Sequence, residues 1–573
     1  MVSPNLIRRQ EEIEPVAVNE EIKKLFQVIY SEQHKGGEAD DNIPRIKVST
    51  LISRLAVFYE KIRNAVDYDE EHLLRKNAIA RILRRQIVIE GVLTASDSDK
   101  IAEHLLVELI RGSYLPNNQI PEAKIAEVAA MLKKYIALKN RMSANLNTEL
   151  AAQTDIKQAK DLINEKNQLT TWLLTLAACE IEESLSPNPV KQVIVSNLFS
   201  VLSRNIQLPK DLPYEKDLEI QIYLSISRNF LKFDKEMLNF VLFKYYNSGW
   251  PTLRLEAAGE NEAIRTIADN LRAMKSEMDQ QISHPLARQL DKIVRLYSLY
   301  FSILAETVEA DPAKIYGELE HGEQAFTTAI RKVCDKKYKK AKSRLWRVAL
   351  RSIIYIFLTK SIFVFLIEVP ATQWFGETLN PLALAINVAF PAILLFVIVF
   401  FTKLPGEDNT RQIIAGIKEI SILGQERKQP LVLRRPPRRN WFMRALFNLI
   451  YIVAFYVSIY YIVLALTRIH FTWVSVIIFL FFLAFVSFFS VRTTSGIKEL
   501  LVVDRKENLF TFLIDLFYMP IILVGRWLSQ NFSKINVFIF LFDFVIEAPF
   551  KVLVEVAEDW TRYVRERRDN LVD

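Results

Sequence analysis

Lys360 stands in the middle of an apolar run at 348–369, and three carboxylates, Asp515, Asp543 and Glu547, stand in the two apolar runs nearest the C-terminus. A charge at the centre of a bilayer costs at least about 2.5–3.5 kcal/mol on insertion scales, so such a residue is either paired or lines a polar path. The chemistry open to this set is an intramembrane cation, Lys360, set against Asp515 or Asp543 in a route for protons or ions. The plainer reading is a lysine that snorkels to the surface, or one paired for structural reasons alone. The apolar runs otherwise lack the Gly-rich broken helices and facing carboxylates of transporters, which favours the plainer reading.

Elsewhere the residue types argue against a catalytic centre. No HExxH, GxSxG, phosphate-loop or dinucleotide pattern occurs. Cys179 and Cys334 form no CxxC, and the six histidines are scattered without metal-ligand spacing. His72 and His104, each beside a glutamate in helical text, read as packing or surface residues, and His284 before Pro285 marks a helix start. With 14 glycines in 573 residues there are few sites for phosphate-cradling turns. The expectation is a non-enzyme without cofactor or bound metal.

The strongest organising feature is a basic collar at 331–351. Lys336, Lys337, Lys339, Lys340, Lys342 and Arg344 lie within it, opposed by Asp335 alone, and the text then turns apolar. A second basic strip, RRPPRRN at 434–440, contributes Arg434, Arg435, Arg438 and Arg439. Residues 331–573 hold 33 Lys and Arg against 19 Asp and Glu, whereas residues 1–330 hold 41 against 47. Basic charge thus belongs to the apolar half, which points to anionic lipid headgroups as partners and away from nucleic acid. RRPPRRN has a further reading as a partner-binding strip, beside its ordinary role of holding a loop on the cytoplasmic side.

The elements that position these residues are all helical. Residues 1–19 read as a flexible tail, and 20–330 as an all-helical cytoplasmic domain broken by LPNNQIP at 115–121 and LPKDLP at 208–213. In the long helix after LPNNQIP, Ile125, Val128, Leu132, Tyr135, Met142 and Leu146 step by three and four, a seam expected to pack within its own domain. Residues 331–347 form a basic juxtamembrane helix. Residues 348–508 supply four membrane-spanning helices as two hairpins, joined by the basic cytoplasmic loop 403–444. Each hairpin is followed by a similar phrase, AGIKEI at 415–420 and SGIKEL at 495–500, the mark of an internal duplication. FVFLIEVP at 363–370 is echoed by FDFVIEAP at 542–549. Residues 509–573 carry polar edges suited to an amphipathic interfacial or re-entrant hairpin and a charged C-terminal helix, with six crossings as the alternative.

The fold class expected is therefore all-α, a large helical cytoplasmic domain followed by a multi-pass transmembrane helical domain and an amphipathic C-terminal hairpin. The N-terminus shows no cleaved signal, so both termini are expected in the cytoplasm. The leading functional expectation is a membrane-anchored scaffold or adaptor that meets protein partners through 20–330, with homo-oligomerisation open and a membrane-shaping variant. The rival is a transporter or channel regulated by its helical domain.

Overall fold

A computed structural model describes residues 18–34, 43–48, 60, 70–86, 98–254, 262–321, 323–377, 380–422, 430–435, 441–503 and 509–534, with single positions 556, 560, 563 and 567. Among the described residues the structure is about 81% helical, with almost no strand. It divides into two compact units: one draws on residues up to 26 with 299–428 and 435–545, the other on 27–298 with 429–434 and the C-terminal residues from 546.

The second unit holds α1 in part (Glu20–His34), then α2 (Glu71–Arg84), α3 (Ser98–Arg111), α4 (Ala123–Ala151), α5 (Ile156–Leu185), α6 (Pro189–Asn205), α7 (Leu218–Asn229), α8 (Lys235–Tyr246), α9 (Glu262–Ile282) and the start of α10 (Ala287–Ala310). Local chemistry explains where several begin. Asp155 accepts from Lys157 N at 2.9 Å, Asn188 from Lys191 N at 2.8 Å ahead of Pro189, and Asp234 from Met237 N at 2.9 Å, so the first free amides of α5, α6 and α8 are capped. The seam of α4 is filled as expected: Val128, Leu132, Tyr135, Met142 and Leu146 are buried against α3, α5 and α9.

Two polar locks sit in this core. Glu180 accepts from Tyr135 Oη at 2.7 Å, Trp250 Nε1 at 2.8 Å and Lys134 Nζ at 2.8 Å, which ties α4, α5 and the Trp250 turn together. Arg75 grips Glu182 through Nε at 2.7 Å and Nη2 at 2.9 Å, and also donates to Tyr114 O and Ser186 Oγ. A two-residue strand β1 (Ile206–Gln207) pairs in parallel with β2 (Leu431–Val432), and Gln289 bonds the Arg434 backbone on both sides, N–H at 2.9 Å and C=O at 2.8 Å. The basic loop is therefore strapped by its own backbone to the helical unit.

The other unit is built on α12 (Glu323–Phe363), which runs without a break through the collar into the first apolar run. A π-helical turn (Val364–Glu368) and α13 (Val369–Trp374) prolong it. Around it stand α11 (Pro312–His321), α14 (Pro381–Phe400), α15 (Glu407–Ser421), α16 (Trp441–Arg468), α17 (Trp473–Lys498) and α18 (Leu509–Lys534). Residues 299–330, expected with the helical domain, cluster here because α11 packs on α12, Lys337 reaches Glu306 at 2.9 Å on α10, and Tyr300 covers Gly416 on α15.

Among the described residues four helices are long and apolar enough to cross a membrane: Gln324–Trp374, Pro381–Phe400, Trp441–Arg468 and Trp473–Lys498. The two duplicated phrases differ in structure. AGIKEI lies on the separate helix α15, where a Cβ on Gly416 would come within 2.3 Å of Tyr300, whereas SGIKEL begins in the tail of α17, where Gly496 meets nothing within 4 Å. Asn409 on α15 joins the two returns: its Nδ2 donates to Tyr338 Oη at 2.9 Å and Leu500 O at 2.8 Å, and its Oδ1 accepts from Val502 N at 2.7 Å.

Helix α18 lies along α17 and α16. Ser458 Oγ donates to Phe517 O at 3.1 Å, and a Cβ on Gly525 would stand 1.9 Å from Ala484 O. Ser458 and Ala484 sit near the middles of their helices, so α18 meets both at mid-length. The second limb of the expected C-terminal hairpin lies outside the described residues.

The backbone contact at Gly525 generates a direct test. Gly525→Ala should lower the thermal unfolding midpoint in detergent by the equivalent of about 1–3 kcal/mol, the usual cost of overpacking. Gly496→Ala should leave it unchanged or raise it, because a helical Ala is favoured over Gly by up to about 1 kcal/mol. Equal losses from the two variants would sink the packing account.

Candidate functional site

The buried face of the first apolar run steps strictly by four: Lys360, Val364, Glu368 and Thr372 are each 0% exposed. Between them Phe365, Leu366 and Ile362 point outward and are exposed, as lipid-facing residues would be. In an unbroken α-helix eight residues turn through about 800°, which leaves Lys360 and Glu368 about 80° apart around the axis. The wider π turn at Val364–Glu368 rotates less per residue and brings them onto one face. Its cause is in the sequence: Pro370 offers no N–H to the Leu366 carbonyl and its ring crowds that carbonyl, so the preceding turn widens.

On that face Lys360 Nζ and Glu368 Oε2 form an ion pair at 4.0 Å. Asn387 of α14, also 0% exposed, donates from Nδ2 to Glu368 Oε1 at 2.6 Å. Thr372 Oγ1 donates to the Glu368 backbone carbonyl at 2.7 Å. Phe482 of α17 presents its ring 4.1 Å from Lys360 Nζ, a cation–π contact that is strongest where water is excluded. Three helices thus converge on one carboxylate and one ammonium. Lys360 Nζ, Glu368 Oε2 and Asn387 Oδ1 each make no hydrogen bond among the described residues. The arrangement can hold a charge pair at membrane depth, and it has the donors and acceptors to pass a proton if a second polar group or water reaches it.

The partner that the structure gives Lys360 is Glu368, on its own helix. The side chain of Asp515 and the whole of Asp543 and Glu547 lie outside the described residues, so the other intramembrane candidates are not brought to this cluster. Glu368 and Asn387 were missed as partners. The signal was available in the spacing of four that links Lys360, Val364, Glu368 and Thr372, and in a proline two residues past an apolar-run glutamate.

Of the collar, Lys336, Lys339, Lys340, Lys342 and Arg344 are exposed. Lys337 is half-buried and engaged with Glu306, and Arg331 pairs with Glu407 at 2.6 Å. Arg434 and Arg435 are exposed at the end of the strap, and Arg438 and Arg439 lie outside the described residues. Among the described residues no cluster of His, Cys, Asp and Glu is arranged to hold a metal ion.

These features define an all-α protein with four helices long and apolar enough to span a membrane. No protein-family model matches the chain, and neither the curated proteins nor the solved structures contain a match.

A buried pair and its isosteres respond differently to substitution. Lys360→Leu, which strands Glu368, should lower unfolding stability in detergent by about 3 kcal/mol, and Lys360→Leu with Glu368→Leu should recover most of the loss, as paired charges replaced by apolar groups commonly do. A double variant as unstable as the sum of the two singles would show that the pair is not coupled.

Proposed function

We propose that this chain is a multi-pass membrane protein that acts as a membrane-anchored scaffold or adaptor, its helical region held at the cytoplasmic surface for contact with other proteins. The observation that carries this reading is the unbroken helix α12, which passes from Glu323 through the exposed basic collar into the first apolar span. A helix without a hinge transmits the position of the span to the collar, and an exposed row of Lys and Arg just outside an apolar span gains about 1 kcal/mol per residue at an anionic leaflet. The positive-inside rule then assigns the collar, the strap and the helices before α12 to the cytoplasm. The contacts of α18 with the middles of α16 and α17 favour a fifth helix at membrane depth over one lying flat on the surface. A membrane-shaping role, which would need a wedge in one leaflet, loses support accordingly.

A second reading, transporter or channel, is favoured by one observation, the π turn that sets Lys360 against Glu368 and Asn387. Its weakness is enclosure. All four polar residues of the cluster are 0% exposed, and aromatic Phe482 closes the side facing α17.

Thiol accessibility separates the two. In a background lacking Cys179 and Cys334, single cysteines at Val364, Asn387 and, as a reporter, Lys340 are exposed to a membrane-impermeant maleimide in proteoliposomes. A scaffold labels at 340 and stays silent at 364 and 387. Labelling at 364 or 387 through an aqueous route would overturn the scaffold reading in favour of transport.

A further inference from the structure

Between α6 and α8 the helical unit opens into a groove of about 720 Å³. It exists because both helices pack on α7, yet one face of each is left facing the other: Lys191, Val195 and Phe199 on α6, Met237, Val241 and Lys244 on α8. Ile220 and Tyr223 of α7 close one wall, and the Tyr223 ring packs edge-on against Phe199 at 6.2 Å. The lining is largely apolar, and α2 adds His72 to it. Burial and the neighbouring Lys191 charge lower the pKa of His72, so its ring is neutral at physiological pH. Its Nε2 is buried and makes no hydrogen bond among the described residues.

The acids lining the groove are mostly spent. Glu182 is held by Arg75 at 2.7 Å and Glu183 by Lys244 at 2.7 Å. That leaves Lys191 on α6 and Glu219 on α7 without an ion-pair partner among the described residues. The groove therefore offers the Lys191 ammonium to an incoming oxygen. The volume falls within the range of about 300–1,000 Å³ typical of small-molecule sites. Two turns of an α-helix, about 10 Å across and 11 Å long, would need more room than this.

We infer that this groove is a binding site for an anionic amphiphile of the long-chain fatty acid class, its chain lying among Val195, Phe199, Ile220, Tyr223 and Met237 and its acid group meeting Lys191. The inference stands apart from the scaffold reading, since it needs only the helical unit's own side chains. The ligand is bound reversibly and no bond is made or broken.

The test uses the full chain in lipid nanodiscs, a diazirine-bearing palmitic acid and the alcohol of the same length, with photolabelled peptides mapped after digestion. The acid should label peptides covering 188–199 and 237–245, and the alcohol should label them at least tenfold less. Lys191→Glu, an exposed and structurally mild change, should bring the acid's labelling of these peptides down to the level of the alcohol. Val195→Trp should block both probes, Glu219→Gln should change neither, and labelling of the apolar spans should be constant throughout. Groove peptides labelled no more than the rest of the helical unit would overturn the site. Equal labelling by acid and alcohol, or full labelling in Lys191→Glu, would overturn the acid-binding assignment.

Discussion

Burying Glu368 is the constraint on which the membrane half depends. A carboxylate taken from water into a medium of low dielectric loses several kcal/mol even after relaxation, and the loss is recovered only with an opposite charge and well-aimed donors. Here the opposite charge is Lys360, and the aimed donor is Asn387. Each partner fixes something larger. Lys360 and Glu368 share a helical face only through the π turn, so the pair and the local backbone stabilise each other. Asn387 brings α14 to that face, and Phe482 brings α17. Removing water from one carboxylate thus sets the register of three helices.

The helical unit uses the same physics at lower stakes. Glu180 and Glu182 lie one turn or less apart near the end of α5, and each collects donors from other elements: Tyr135, Trp250 and Lys134 for the first, Arg75 for the second. Apolar packing alone permits small rotations of one helix on another, whereas a carboxylate with several donors tolerates little. These locks leave the α6 and α8 faces free to diverge, because neither helix contributes a donor to them. The groove is the space so left.

Periodicity made much of this legible. The seam of α4, the unbroken text from Glu323 to Phe363 and the four apolar helices are all written in local spacing, and local spacing survives in the structure. What was not legible is what depends on where helices meet. Lys360 could be singled out as a charge in apolar text, and the step of four to Glu368 with Pro370 two residues on stood in the sequence, but a regular helix places Glu368 off the Lys360 face and only the backbone change at Pro370 corrects that. Asn387 is an ordinary residue in an apolar run until α14 is docked. The strap at Leu431–Val432 escaped for a different reason: two residues of strand carry no pattern, and the basic text around them drew attention to charge when the backbone of Arg434 was the contact.

The buried pair also bears on the collar, although the two lie several turns apart. Because α12 has no break, fixing the rotation of its span about the helix axis fixes the rotation of the rest of that helix back to Glu323. At about 100° per residue, Arg351, Arg347, Arg344 and Lys340 fall about 160–220° around the axis from Lys360. These four thus face away from the side on which Lys360 meets Glu368 and Phe482, whereas Lys342 falls on the Lys360 side and Lys339 about 60° from it, so the collar carries charge around much of its girth. A purely apolar span could turn in lipid at little cost and would leave the azimuth of the collar undetermined. The ion pair supplies a reason for charge at membrane depth that requires no transport: it is the key that orients the first span relative to α14 and α17.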